Sequence, residues 1–268
     1  MYPCHDSRRM RAAIVDLDGT VYRSETPVEG AASGIAALRA AGVDVVFVSN
    51  TSTKSRETCR RRLERIGIDA TASDVITSAS VAADYVAADR PEAVAMAVGQ
   101  PALLEELRRA GVTLTDDPDA AEVVVVGKDR SFDFDTLTRA ARAIEAGAAF
   151  VATNRDGRSP VDGGIEPGTG SLVAAVAAAA DREPDAVAGK PHGPIVDRTL
   201  DRLGVEPADC LVVGDNPAMD VAMGNRAGMR TLLVLSGIAD RTDDWGVRPD
   251  HVVETIGEVT ALPFVPSA

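Results

Sequence analysis

The chain is 268 residues long, 45% hydrophobic and 26% charged, which suits one large or two ordinary globular domains. A formal charge of −13 disfavours binding to the phosphate backbone of a nucleic-acid polymer. The longest apolar run, the nine residues from Leu172 to Ala180, falls short of the ~20 that a membrane span requires.

Arg8, Arg9 and Arg11 precede an apolar stretch of only four residues, so the hydrophobic segment of a secretory signal is missing and a cytoplasmic location is expected. Cys4, Cys59 and Cys210 are odd in number, far apart and without a CxxC pair, against both a disulfide frame and a structural zinc site. Cys210 opens an apolar run and reads as a core residue. Only Lys54, Lys128 and Lys190 supply lysine among the 28 basic residues. Acid excess with scarce lysine and abundant alanine resembles a salt-adapted, halophilic protein; a GC-rich genome that favours Arg and Ala codons is the other reading.

Taken in order, Ala12 to Val15 reads as a buried strand, followed by a helix from Ala31 to Ala41 closed by Gly42. Val43 to Val48 reads as a second buried strand ending in Ser49-Asn50-Thr51, and Ser55 to Ile66 as a strongly charged helix. After Asp74 to Ser78 and the helix Ala79 to Ala88, the pattern restarts at Arg90-Pro91. Strands at Val94 to Val98, Val112 to Leu114, Val123 to Val126 and Ala149 to Thr153 alternate there with helices at Pro101 to Ala110 and Asp135 to Ala146. A long turn-rich loop, Asn154 to Gly170, leads into the Ala-rich helix Ser171 to Ala180; loops of this length are usually functional. From Asp185 the first pattern returns, with Ala186 to Ala188, the helix Pro194 to Leu203, the strand Cys210 to Val213, the helix Ala218 to Ala227 and the strand Thr231 to Leu235. Such alternation predicts an α/β fold: a Rossmann-like parallel sheet core, residues 1–80 and 185–268, interrupted by an inserted α/β domain, residues 81–184.

The first strand ends in Asp16-Leu17-Asp18-Gly19-Thr20. In an extended chain, residues i and i+2 share a side, so Asp16 and Asp18 project together, a costly placement unless a cation or a shared proton relieves it. The competing reading is a polar turn with Asp18-Gly19 as turn residues. Ser49, Lys190 and Asp215 likewise follow short apolar runs, and ligands of open α/β sheets bind outside the carboxyl ends of the strands. Asp16, Asp18 and Asp215 supply the hard oxygen ligands that Mg²⁺ takes. Ser49 adds a hydroxyl and Lys190 a point charge suited to phosphate. Phosphoryl transfer asks for little beyond such positioning and charge stabilisation.

Asp16-Leu17-Asp18-Gly19-Thr20, Ser49-Asn50, Lys190-Pro191 and Gly214-Asp215-Asn216 with Asp220 resemble, in order and spacing, the four motifs of the haloacid dehalogenase-like hydrolases. The insertion looks like the α/β cap of the NagD-like, class IIA branch. Val126 to Arg130, Ala152 to Asp156 and Gly168 to Leu172 are similar to cap sequences of that branch, and the resemblance covers nearly the whole chain after Arg11. It implies an Mg²⁺-dependent phosphatase acting on a small-molecule phosphate monoester through an aspartyl-phosphate. Asp16 would be the nucleophile; Asp18 would protonate the leaving oxygen and then activate water. Ser49 and the Asn50 amide would hold the phosphoryl oxygens, with Lys190 offsetting charge. Asp16, the Asp18 backbone carbonyl and Asp215 would hold the metal, with Asp220 and Asn216 in support. Substrate choice would fall to the cap face from Asn154 to Gly164, including Arg155 and Asp156, with Asp129 and Arg130. Caps of this branch often carry dimer contacts, which leaves a homo-oligomer open.

Three positions depart from the pattern: Ser49 stands where many relatives have Thr, Met219 where this branch usually has Thr, and Arg155 where many have Pro. Within the superfamily, Asp18 favours phosphate chemistry over haloalkanoate dehalogenation. Gly168-Thr169-Gly170 fails as a dinucleotide fingerprint because Val173 fills the third glycine position, and Gly189-Lys190 is not a phosphate-binding P-loop because Pro184 fills the first. His5, His192 and His251 are too few for a histidine-rich metal centre. The alternative of another class is a non-catalytic regulator that keeps the fold and binds Mg²⁺ or a phospho-ligand.

Overall fold

A computed structural model describes residues 10–161, 163–242, 244–263 and 265; Cys4, His5, Arg8 and Arg9 lie outside them. The chain runs through β1 (Ala12–Val15), β2 (Tyr22–Arg23), β3 (Thr26–Pro27), α1 (Ala31–Ala40), β4 (Asp44–Ser49), α2 (Arg56–Arg65) and β5 (Val75–Thr77). It continues as α3 (Ser78–Asp89), β6 (Val94–Val98), α4 (Pro101–Arg109), β7 (Thr113–Leu114), β8 (Val123–Val126), α5 (Phe134–Glu145) and β9 (Ala149–Ala152). The remainder comprises β10 (Arg158–Val161), β11 (Gly164–Pro167), α6 (Thr169–Ala180), β12 (Ala186–Val187), α7 (Gly193–Leu203), β13 (Cys210–Gly214), α8 (Ala222–Ala227), β14 (Arg230–Val234) and β15 (His251–Val253). Among the described residues, no helix is long and apolar enough to cross a membrane.

Contacts divide the chain into two compact units. The first takes in the described residues up to Ser49, Cys59–Ile76, and those from Val196 onward. Its sheet has the order β15-β14-β13-β1-β4-β5. The wholly buried β1 lies parallel between β13 and β4, with Val15 level with both Val213 and Phe47. One face of this sheet carries Val15, Leu17, Phe47, Leu63 and Val213 in a single apolar cluster; each large side chain fully withdrawn from water contributes about 1.5–3 kcal/mol. That packing fixes the register, and the register fixes what stands at the carboxyl ends of β1, β4 and β13.

The second unit, Asn50–Thr58 and Thr77–Ile195, has its own parallel sheet of order β12-β9-β8-β6-β7 and its own core around Val124, Val126, Phe150, Val173 and Val176. Four valines in succession make β8, buried on both faces as a central parallel strand should be.

Several elements differ from the sequence expectation. The loop from Asn154 to Gly170 holds an antiparallel hairpin, β10 against β11. Its strands show no apolar alternation and each contains a proline, which hides them from periodicity. The helix expected from Ala218 begins instead as a π-helical turn, Pro217–Val221, before α8. The charged helix α2 buries Arg62 along with Cys59 and Leu63. The segment at Ala186 pairs with β9 in the second sheet, so the strand before Lys190 does not belong to the sheet that carries β1, β4 and β13. The strand-end rule therefore gathers Asp16, Ser49 and Asp215 in one sheet, whereas Lys190 follows a strand of the other.

Candidate active site

In the first unit, Asp16 follows β1 and Asp215 follows β13, adjacent parallel strands. The Asp16 N–H donates to the Val213 carbonyl at 2.8 Å, which continues the ladder one residue past the strand. Asp16, Asp215 and Asp220 are 8%, 3% and 2% exposed, and each offers a carboxylate oxygen within 4.8 Å of the others. Asp220 is brought in by the π-helical turn. Asn216 caps that turn by accepting from the Ala218 N–H at 3.1 Å, and its own N–H donates to Asp220 Oδ2 at 3.1 Å. Asp215 Oδ2 accepts from the Ile238 N–H at 2.8 Å.

Gly19 packs so closely on the Asp215 carboxylate that a Cβ there would collide with it, and its φ of +98° suits glycine. Its carbonyl accepts from Ser236 Oγ at 2.7 Å, which anchors the turn. Three carboxylates this close and this dry repel one another unless positive charge offsets them. A hard divalent cation does, and an all-oxygen donor set of carboxylates suits Mg²⁺. The Asp18 side chain stands apart from this group: it is 48% exposed and faces Arg62, with Oδ1 3.9 Å from Nη1. The family resemblance assigns the metal to the Asp18 backbone carbonyl and not to this carboxylate. Ser49 ends β4, 4% exposed.

In the second unit, Asn50 is a hub. Its Oδ1 accepts from the Lys190 N–H at 2.7 Å, while its Nδ2 donates to the Lys190 carbonyl at 3.1 Å and to Asp156 Oδ2 at 3.2 Å. Its own carbonyl accepts from Asn154 Nδ2 at 2.7 Å and from Ser78 Oγ at 2.8 Å. A Cβ at position 189 would lie 2.5 Å from Asn50 Oδ1, so Gly189 makes room for the hub. Lys190 is 3% exposed and its peptide bond to Pro191 is cis. The Asn50 side-chain amide is thus engaged with the main chain of Lys190, and any hold on a phosphoryl group would fall to the Asn50 peptide N–H.

The other residues expected to choose the substrate have their own partners. Asn154 Oδ1 accepts from the Asp156 N–H at 3.0 Å, which closes a turn beside the hub. Arg155 pairs with Glu183. Asp129 Oδ1 accepts from the N–H and Oγ of Ser131 at 2.9 and 2.6 Å. Arg130 grips both oxygens of Glu166 at 2.9 Å, and Lys128 Nζ donates to Glu166 at 2.6 Å. Those hydrogen bonds, Lys128 first, hold Glu166 below the usual carboxylate range. Sequence reasoning missed Ile238 and Arg62. The first acts through its peptide N–H and leaves no side-chain signal; the second was legible as an arginine on the inward stripe of α2.

Residues 13–113 match the family model described as haloacid dehalogenase-like hydrolase, and residues 187–259 a second model of HAD-like hydrolases. The chain is 33% identical to the sugar-phosphatase AraL of Bacillus subtilis over 96% of its own length and 95% of that protein. It superposes on a p-nitrophenyl phosphatase from Archaeoglobus fulgidus with a TM-score of 0.91 at 36% identity, covering 95% of this chain and 100% of the other. A glycerol phosphate phosphatase from Mycobacterium tuberculosis, solved in complex with magnesium, matches with a TM-score of 0.83 at 32% identity, over 93% of this chain and 76% of that one.

Proposed function

The chain belongs to the haloacid dehalogenase-like hydrolases, in their NagD-like class IIA branch, and is a phosphatase of phosphate monoesters; from that premise we propose that it works through an aspartyl-phosphate at Asp16 and acts on a small-molecule ester. The observation that carries this reading is the buried carboxylate group of Asp16, Asp215 and Asp220, whose oxygens lie within 4.8 Å of one another. Such a group is tolerable around a dication and has no use in a plain fold.

In this reading an Asp16 carboxylate oxygen attacks phosphorus while the bond to the ester oxygen breaks, and the Asp18 carboxyl gives that oxygen its proton. Asp18 then takes a proton from water, whose oxygen attacks the phosphorus of the acyl phosphate. Inorganic phosphate leaves and Asp16 is regenerated. Mg²⁺, held by Asp16, the Asp18 carbonyl and Asp215, would offset charge on the phosphoryl oxygens. Asp220 and Asn216 keep the loop after β13 in shape. The Ser49 hydroxyl and the Asn50 N–H hold phosphoryl oxygens, and the Lys190 ammonium balances the charge of phosphate and nucleophile.

The second unit serves as the cap that selects the ester, through the segment from Asn154 with Asp129, Arg155 and Asp156. Sugar phosphates, glycerol phosphate and nitrophenyl phosphate, named for the relatives, define the substrate class: small phosphate monoesters. Acid excess and scarce lysine support a salt-adapted protein; loss of activity in molar KCl would remove that reading.

The deciding experiment is phosphate release from p-nitrophenyl phosphate with Mg²⁺, with EDTA, and with Asp16→Asn. Turnover should fall by about four orders of magnitude in the variant and return to the EDTA-treated enzyme on adding Mg²⁺. Equal rates in all three would leave only a binding module.

A further inference from the structure

Helix α2 turns Cys59, Arg62 and Leu63 inward, a stripe that is ordinarily apolar. Arg62 is 6% exposed, and its guanidinium lies 3.9 Å from the centre of the Tyr22 ring, which is itself fully buried. An arginine does not shed its charge, so the cation is carried inside intact. Two carboxylates face it: Glu25, with Oε1 3.3 Å from Nη2, and Asp18, with Oδ1 3.9 Å from Nη1. Neither contact is a hydrogen bond: Nη2, like Nε, makes none among the described residues, and 3.9 Å from Nη1 is beyond hydrogen-bond reach. Glu25 is a poor reason for the burial, since its side chain is 75% exposed and also reaches Arg65 at 3.5 Å.

The loop that carries Asp18 is otherwise tied down. The Gly19 N–H donates to the Tyr22 carbonyl at 2.8 Å and the Val21 N–H to the Leu17 carbonyl at 2.9 Å, which ties the main chain at Tyr22 to the turn that carries Asp18. Had packing been the only demand at position 62, a methionine would fill the space without the cost of desolvating a guanidinium. The half-exposed Asp18 carboxyl is the group that gains from a fixed cation at its side.

We propose that Arg62 is a positioning residue for phosphoryl transfer: stacked on Tyr22, it presents Nη1 to Asp18 Oδ1 and holds that carboxyl in the orientation from which it protonates the departing ester oxygen. The proposal rests on the reading of Asp18 as the general acid, and the test separates the two. Aryl phosphates of similar size but different leaving-group basicity, p-nitrophenyl and phenyl phosphate, report the need for that proton, because nitrophenolate departs with little help and phenolate does not. The quantity to read is kcat/KM, which covers the steps through formation of the acyl phosphate.

Arg62→Met should raise the ratio of kcat/KM for nitrophenyl over phenyl phosphate by about tenfold, with a melting temperature equal to or above that of the wild type. Arg62→Lys, which keeps the charge, should hold the ratio within about threefold of the wild type. An equal fall on both esters, or an unchanged ratio in Arg62→Met, overturns the proposal and leaves Arg62 a structural residue. Asp18→Asn is the control for the underlying reading: it should raise the same ratio more than Arg62→Met does. If Asp18→Asn lowers both esters alike, the acid assignment itself has failed.

Discussion

The carboxylate group of the first unit and the lysine hub of the second are both buried, yet they are assembled by opposite means. Asp16, Asp215 and Asp220 share one sign of charge and must be held against mutual repulsion, so two of them hang from adjacent parallel strands and the third from a capped turn, with peptide N–H groups and an adjacent glycine fixing the oxygens. Lys190 stands on a loop, and its main chain is bound on both sides by the neutral amide of Asn50. Like charges need a scaffold stiffer than their repulsion; the loop that carries Lys190 needs its main-chain polar groups satisfied.

That contrast can be broken at either end. Asp215→Asn should do the most: turnover of p-nitrophenyl phosphate should drop on the order of a hundredfold or more. The metal-free protein should melt no lower than the wild type, because one repelling carboxylate is gone, and the rise in melting temperature that Mg²⁺ gives the wild type should disappear. A lower melting temperature without metal would show that the carboxylates stabilise the fold rather than strain it.

Asn50→Ala comes next. Removing the hub strands the N–H and carbonyl of Lys190, so kcat/KM should fall roughly tenfold to a hundredfold. The Mg²⁺-induced rise in melting temperature should survive, since the carboxylates proposed to hold the metal lie in the other unit. Loss of that rise would mean that the two groups are not separately built.

The smallest effect concerns a pair remote from both. Burial acts to raise Asp74, but hydrogen bonds from Thr71 and from Arg202 at 2.6 Å outweigh it and hold the carboxyl below its usual range. A carboxyl whose folded pKa is depressed contributes stability above its unfolded value and loses it as pH falls through the folded one. Arg202→Met should therefore cost about 1 kcal/mol in urea unfolding at pH 7, and the difference should shrink below about pH 4. A difference that persists unchanged in acid would assign the loss to packing.

Much of this architecture was readable from apolar runs. The strand from Ala12 to Val15 and the strands around Val46, Val124 and Val212 are β-branched and continuous, as buried parallel strands are, and the acidic residues after them could be placed at strand ends on that basis. The hairpin β10–β11 was hidden because Arg158-Ser159 and Gly164-Ile165 show no period. The π-helical turn escaped because its residues are the same ones a plain helix would use; only the capping by Asn216 and the reach of Asp220 back to its N–H distinguish it. Arg62 escaped because α2 was weighed by composition, whereas its position three residues after Cys59 and one before Leu63 puts it on the buried stripe.

The two-residue strand β12 decides where this protein could be cut and spliced. Ala186 and Val187 pair with Val151 and Ala152, three residues ahead of Lys190, so a graft that ended at position 184 would set the donor's β9 against the recipient's β12 and leave Lys190 to the recipient. A transplant that respects hydrogen bonding runs from Thr77 to Ile195 and takes Asn50–Thr58 with it. Lys190 and the segment from Asn154 would then be inherited together, so a chimera that exchanged that segment would also carry a new lysine environment.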